Sequence, residues 1–279
     1  MTKASDSTAP LVGAAPGAAE YIATIEAAAR QGVQRAVARL SYGPAPGQQL
    51  DVYVPPQRDR HAAPLPVLIF FHGGAWIRGG LDWLDFMAPA VTALPAVFVA
   101  GTYRLAPENR WPAQHEDVQA AIRRVHERIG EFGGDAGRIA VGGHSAGGHL
   151  AAMAVLAGDV PPLRACLPVS APCDLRYGDI PIDSDDARAY KYLLQRREQD
   201  AEASPVVFVA GNRVPFHLVW GERDFRRIRD GNPVMLAALH AAGCEATHAA
   251  IAGAGHFDTH LMLSDPANAW YERVREMLG

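Results

Sequence analysis

The sequence predicts a single α/β domain, a mostly parallel central sheet with helices on both faces and a small cap insertion. Three observations carry this expectation. Short apolar runs alternate with helix-like segments along most of the chain, the rhythm of a sheet covered on both sides. The length of 279 residues suits one large α/β domain and is short for two. Gly143-His144-Ser145-Ala146-Gly147 falls between an apolar strand-like run and an apolar helix-like run, so a sharp strand-to-helix turn is expected there.

Taken in order, Ala9 to Ala19 is rich in small apolar residues, but Pro10, Gly13, Pro16 and Gly17 interrupt it. It is therefore neither a secretory apolar core nor a membrane span, and reads as a flexible lead-in. Glu20 to Leu40 carries Tyr21, Ile25, Ala28, Val33, Val37 and Leu40 roughly on one helical face, which suits a helix packed on the body or a lid over a site. Residues 1–40 thus form an N-terminal segment ahead of a main domain at 41–279. After the Gly43 to Gly47 turn, strands are expected at Leu50–Val54, Val67–Phe71, Ala96–Gly101, Arg138–Val141, Ala165–Val169, Phe216–Trp220 and Thr247–Ile251. Helices are expected at Pro112–Ile129, Ala146–Leu156, Asn232–Ala242 and Asp265–Leu278; the first and the last two carry a proline near the start, where it is best tolerated. Leu175 to Ser204 breaks the rhythm: it is polar, dense in charge and helix-like around Tyr190 to Arg197, and reads as the small cap.

Composition narrows the function classes. A net charge of −4 without a long basic run offers no footprint for nucleic acid and no polybasic anchor for a membrane, which leaves a small-molecule substrate. Cys166, Cys173 and Cys244 are odd in number and lack CxxC spacing, which suits reduced core thiols and a cytoplasmic setting. Oligomeric state leaves no mark in the pattern.

The chemistry gathers at three places. In the Gly143 to Gly147 turn, tiny flanking residues let Ser145 adopt a strained conformation that exposes its hydroxyl above the sheet. The helix that follows brings its free N–H groups and positive dipole end to the same point, with Ala146 supplying one N–H. His72-Gly73-Gly74-Ala75-Trp76 follows an earlier strand, and its glycines allow backbone N–H groups to approach a substrate oxygen; His72 itself is expected to brace the loop. A serine nucleophile needs a base and an orienting carboxylate, in the order serine, acid, histidine. Asp224 after the Phe216–Trp220 strand and His256 after the last strand meet that order, with Glu222 and His260 as close alternatives.

A catalytic metal is the chemical rival, since His256, Asp258 and His260 lie close together, yet no HExxH, HxH or Cys/His zinc spacing occurs. No cofactor is therefore expected. A ligand-binding protein on the same scaffold is disfavoured by the full set of nucleophile, base and oxyanion glycines. Trp76, Trp83 and Phe86 follow the oxyanion loop and either line a pocket for a flat or apolar group or pack the core. Asp174, near a strand end, is expected to hold the cap.

Phe71-His72-Gly73-Gly74-Ala75-Trp76, Tyr103-Arg104-Leu105-Ala106-Pro107-Glu108, Gly142 to Leu150 and Gly255-His256-Phe257-Asp258 together resemble the kynurenine formamidase-like and hormone-sensitive lipase-like carboxylesterase branches of the α/β-hydrolase superfamily, from about Ser41 onward. Tyr42-Gly43-Pro44, Leu50 to Tyr53 and Val169 to Leu175 look closest to the formamidase-like branch; Tyr103 to Glu108 looks equally like the lipase-like one. The resemblance implies an α/β-hydrolase fold, Ser145 as nucleophile, His256 as base, Asp224 as acid, and Gly73, Gly74 and Ala146 as oxyanion donors. It departs from the pattern at Ala75, where lipase-like members carry a third glycine and formamidases a bulky aromatic. The expected activity is carboxylester hydrolysis through an acyl-enzyme, with aryl formamide hydrolysis as the alternative.

Overall fold

The structure, a computed structural model, describes residues 17–30, 34–56, 63–176, 178 and 191–279. Among these, eight strands form one sheet in the order β1-β2-β4-β3-β5-β6-β7-β8. They are β1 (Ala38–Ser41), β2 (Gln49–Tyr53), β3 (Leu65–Phe71), β4 (Val97–Gly101), β5 (Gly134–His144), β6 (Ala165–Val169), β7 (Phe216–Gly221) and β8 (Ala246–Ile251). β1 and β2 pair antiparallel, as do β2 and β4, and every pairing from β4 through β8 is parallel.

The central strands are apolar along their whole length because both faces are covered. Val67, Ile69 and Phe71 of β3 enter one core, with helices α3 (Ala113–Arg128), α4 (Ala146–Ala157) and α5 (Arg226–Ala241). Leu68 and Phe70, one residue out of phase, enter the opposite core with α1 (Ala18–Arg30), α2 (Ala88–Thr92) and α7 (Ala269–Leu278). α4 is buried from Ala146 to Ala154 and is apolar almost all round, so it stays a helix by enclosure rather than by amphipathic patterning.

Several boundaries differ from those read in sequence. The expected helix from Glu20 to Leu40 ends at Arg30, and Leu40 lies in β1, an antiparallel edge strand that straddles the boundary drawn at residue 40. A four-residue edge strand with alternating burial is indistinguishable from a helical face when only apolar spacing is read. α5 starts at Arg226, so Pro233 sits inside the helix instead of near its start. α7 starts at Ala269, where the Asn268 side chain accepts from the Trp270 amide and caps it. The polar excursion begins after β6, near Asp174, whose carboxylate pairs with Arg176 at 2.7 Å and accepts from Ser204 Oγ at 3.4 Å. Its middle, including Tyr190, and the lead-in through Pro16 lie outside the described residues.

The parallel register aligns the strand ends. Phe71 pairs with Gly143, His144 with Val169, Val169 with Val219 and Gly221 with Ile251, so the residues that follow each strand emerge along one edge of the sheet. In open α/β sheets that carboxyl edge is where ligands bind.

Candidate active site

Ser145 sits between β5 and α4 with φ 53° and ψ −118°, left-handed for a residue with a Cβ. Its amide donates to the Val169 carbonyl at 2.8 Å and its carbonyl accepts from the His149 amide at 3.0 Å, so both neighbouring elements hold the turn. The flanking glycines are dictated by space. A Cβ on Gly143 would lie 2.6 Å from the Gly147 carbonyl oxygen, and one on Gly147 would lie 2.5 Å from the His72 carbonyl oxygen.

Two further strand ends complete a hydrogen-bonded chain. His256 Nε2 lies 3.0 Å from Ser145 Oγ, and Nδ1 lies 2.8 Å from Asp224 Oδ1. A carboxylate can only accept, so Nδ1 carries the proton and Nε2 presents its lone pair to the serine hydroxyl. Asp224 is 4 % exposed and is held by the Phe225 amide at 2.7 Å and the Ser170 hydroxyl at 2.5 Å. Buried and multiply bonded, it has one orientation toward the imidazole.

The alternatives raised by sequence proximity lie elsewhere. Glu222 accepts the Gly253 amide at 3.0 Å on the outer side of the loop. His260 is buried, with Nδ1 2.6 Å from the Tyr21 hydroxyl and its ring stacked on His144 at 4.6 Å. Burial pushes its pKa down to about 3, so it is neutral. Asp258 accepts the Gly255 amide at 2.7 Å, and among the described residues no three His, Cys, Asp or Glu side chains gather as a metal-binding group.

The loop after β3 lies against the serine. A Cβ on Gly73 would be 3.2 Å from Ser145 Cβ, and Gly74 has φ 115°. Gly73 thus lies against Ser145, and Ala146, as the first residue of α4, has an N–H with no acceptor inside the helix. His72 braces this loop, as its position suggested. Nδ1 bonds the Gly73 carbonyl at 2.7 Å, Nε2 bonds Thr102 Oγ1 at 2.9 Å, and Tyr103 stacks on the ring at 4.5 Å. Burial lowers its pKa to about 4.

A cleft above Ser145 opens to solvent, with about 600 Å³ of empty space when the open mouth is counted. Trp83 lines it together with Tyr21, Ile22, Ile77, Phe257 and Tyr192. Trp76 and Phe86 are not among its lining residues. Trp76 is turned back against His149, and Phe86 packs edge-on to His260 at 4.9 Å. The wall from α1 was foreseen only as one of two roles for that helix. Tyr21 and Ile25 pack it on the body, while Ala18, Tyr21 and Ile22 also face the cleft.

Sequence reading assigned no role to Ser170, Thr259 or His144. Ser170, left-handed at φ 48° directly after β6, orients Asp224; Thr259 Oγ1 donates to the His256 carbonyl at 2.8 Å; His144 Nε2 bonds the same carbonyl at 2.9 Å. A polar residue just past a buried parallel strand was the available signal for Ser170.

Comparison with known proteins bears on the fold and the family. Residues 68–259 match a family described as having the alpha/beta hydrolase fold. The chain is 50 % identical over 213 residues to carboxylesterase NlhH of Mycobacterium tuberculosis, covering 69 % of this chain and 65 % of that protein. It is 27 % identical to kynurenine formamidase of Danio rerio, covering 86 % of this chain and 81 % of that one. A solved structure of a bacterial heroin esterase superposes with a TM-score of 0.72 at 28 % identity, covering 94 % of this chain and 89 % of that one. The chain spans between half and two thirds of the length of the mycobacterial esterases LipC and NlhH that it matches. No helix among the described residues is long and apolar enough to cross a membrane.

Proposed function

The chain belongs to the α/β-hydrolase family, and from that premise we propose that it is a carboxylesterase-like serine hydrolase acting on small-molecule esters through an acyl-enzyme on Ser145. The observation that carries the reading is the unbroken chain from Ser145 Oγ through His256 to Asp224, at 3.0 and 2.8 Å. The esterase NlhH and the structurally similar esterase support the substrate class.

On this reading, Ser145 Oγ attacks the ester carbonyl carbon as its proton passes to His256 Nε2. Asp224 holds the imidazolium through Nδ1–H and is not itself protonated. The carbonyl oxygen becomes an oxyanion that the amides of Gly73, Gly74 and Ala146 receive; each donor of this kind stabilises the transition state by roughly 3–4 kcal/mol. Collapse expels the alkoxide, which takes the proton from Nε2 and leaves as the alcohol. Water then gives its proton to Nε2 and attacks the acyl carbon, the carboxylic acid departs, and Ser145 recovers its proton. These steps require no cofactor. Trp83, Tyr21 and Phe257 in the cleft wall suit an apolar or flat group beside the scissile bond. Three buried thiols suit a reducing, cytoplasmic setting.

Aryl formamide hydrolysis is the second reading, favoured by the likeness to kynurenine formamidase along 86 % of this chain. A formyl carbonyl collapses through the same oxyanion. The test is labelling of the wild type and Ser145→Ala with a fluorophosphonate probe, together with kcat/KM for short p-nitrophenyl esters and N-formylkynurenine. Labelling confined to the wild type with higher kcat/KM on esters is expected. Equal labelling of both proteins would remove the nucleophile assignment, and a formamide preference of several orders of magnitude would reverse the ranking.

A further inference from the structure

The two sources of the oxyanion amides belong to different elements, the loop after β3 and the start of α4; the strand pairing aligns them as far as Phe71 and Gly143, and beyond that pair the loop's own path must be held by side chains. The loop runs through three consecutive left-handed residues, Gly74 at φ 115°, Ala75 at 52° and Trp76 at 63°. Two of these carry a Cβ, so the loop keeps this path only if its surroundings over-determine it.

The surroundings converge on one side chain. The Trp76 indole N–H donates to His149 Nδ1 at 3.2 Å, with the rings edge to face at 5.2 Å and 86°. His149 Nε2 lies 2.7 Å from the Ala203 carbonyl, which can only accept, so Nε2 carries the proton and Nδ1 is left as a bare acceptor for the indole. Both side chains are buried, at 5 % and 0 % exposure. His149 is also the residue whose amide closes the first turn of α4 onto the Ser145 carbonyl. The Ala106 amide donates to the Trp76 carbonyl at 2.9 Å and pins the loop from its far side. The indole–imidazole bond is thus a strut between the oxyanion loop and the helix that carries the third amide.

We propose that Trp76 and His149 are positioning residues that hold the amides of Gly73 and Gly74 at a fixed separation from that of Ala146, so that all three meet one carbonyl oxygen. The inference rests on the acyl-enzyme reading above. Neither side chain bonds Ser145, His256 or Asp224, and His149 meets Ser145 only through its backbone amide, so a side-chain change acts on oxyanion stabilisation and leaves proton transfer alone.

The test uses the full chain with Trp76→Phe, which keeps a ring but loses the N–H, and His149→Phe, which loses the acceptor, singly and together. Each is assayed on p-nitrophenyl acetate and on the corresponding thionoester, whose sulfur is a weak acceptor and draws little from the amides. We expect kcat on the ester to fall about tenfold in each single variant with KM within about twofold, and the double variant to be no worse than the singles, since they remove one shared contact. The ester-to-thionoester ratio of kcat/KM shrinks by the same factor, and the acidic limb of the pH profile stays in place. Cooperative melting establishes which variants are folded, and either folded single decides the matter. Wild-type kcat, or a loss of kcat with an unchanged ester-to-thionoester ratio, overturns the proposal. Ser145→Ala is assayed in parallel, and its retaining turnover would overturn the acyl-enzyme reading itself.

Discussion

Tyr21 and His260, 239 residues apart, share a 2.6 Å hydrogen bond that joins α1 to the short helix α6 (Asp258–Leu261) immediately after His256. The Tyr21 ring also stacks on Phe257 at 4.5 Å and meets Trp83 edge-on at 5.9 Å. Among the described residues His260 Nε2 finds no partner, so the Tyr21 hydroxyl is the one hydrogen bond to its imidazole there. Tyr21→Phe is expected to lower the unfolding free energy by about 1–3 kcal/mol, the cost of leaving that buried group unsatisfied. Urea melts of the two proteins measure it, and coincident midpoints would mean the bond contributes nothing.

The identity of the acid can be separated from its neighbour two residues away. Asp224→Asn should reduce kcat by about 10³–10⁴-fold, because an amide at Oδ1 no longer selects the tautomer that leaves Nε2 free to accept. Glu222→Gln, whose carboxylate faces the Gly253 amide, should stay within about twofold. Steady-state kinetics of both variants on one ester decide between them, and the reverse order would move the acid to Glu222.

Two glycines should respond in opposite directions to alanine. At Gly147 the added methyl meets the carbonyl oxygens of Phe71 and His72, so the strand end that carries the oxyanion loop must shift. Gly147→Ala should destabilise by about 1–3 kcal/mol or more and remove most turnover. Gly231, inside α5, has nothing within 4 Å of the new Cβ, and Gly231→Ala should stabilise by about 0.5–1 kcal/mol. Thermal melts of both variants check the contrast.

Stability should fall with acid well above the pH at which carboxylates titrate. Burial is the leading cause that lowers the pKa of His72, His115, His149 and His217 to about 4 and of His260 to about 3, with His144 also pushed well down. In the unfolded chain these groups take up protons near pH 6.5, roughly. Between there and the folded values the unfolded state binds more protons, so unfolding free energy rises with pH. It is undiminished above about pH 7 and declines as pH falls toward 4, by up to about 1.4 kcal/mol per unit for each histidine. Urea midpoints at pH 7.5, 6 and 5 should decrease in that order. A flat series would show that these histidines are protonated in the folded protein.

The sequence by itself determined the parallel core and the order of the chemical groups. The runs at Val67–Phe71 and Ala165–Val169 are apolar on both faces, and a strand buried on both faces must belong to the inside of a covered sheet. Gly143 and Gly147 flank Ser145 because no larger residue fits the turn, and that steric demand is local enough to be written in five consecutive letters. Asp224 and His256 were legible because each follows a strand whose end the parallel register brings to the same edge.

What only the tertiary structure decided were contacts between residues far apart in the chain. Trp76 and Phe86 follow the oxyanion loop in sequence, yet one turns back to His149 and the other to His260, since aromatic burial alone carries no direction. β1 was hidden inside an apparent helical face because four edge residues have too little pattern to reveal their period. Ser170, Thr259 and Tyr21 act through hydrogen bonds that span 54, 89 and 239 residues, to Asp224, Ser170 and His260, and local spacing holds no record of such partners. The chain's letters thus fix which groups are present and in what order, while the packing of α1 and the loops against the sheet edge decides which of them face the serine.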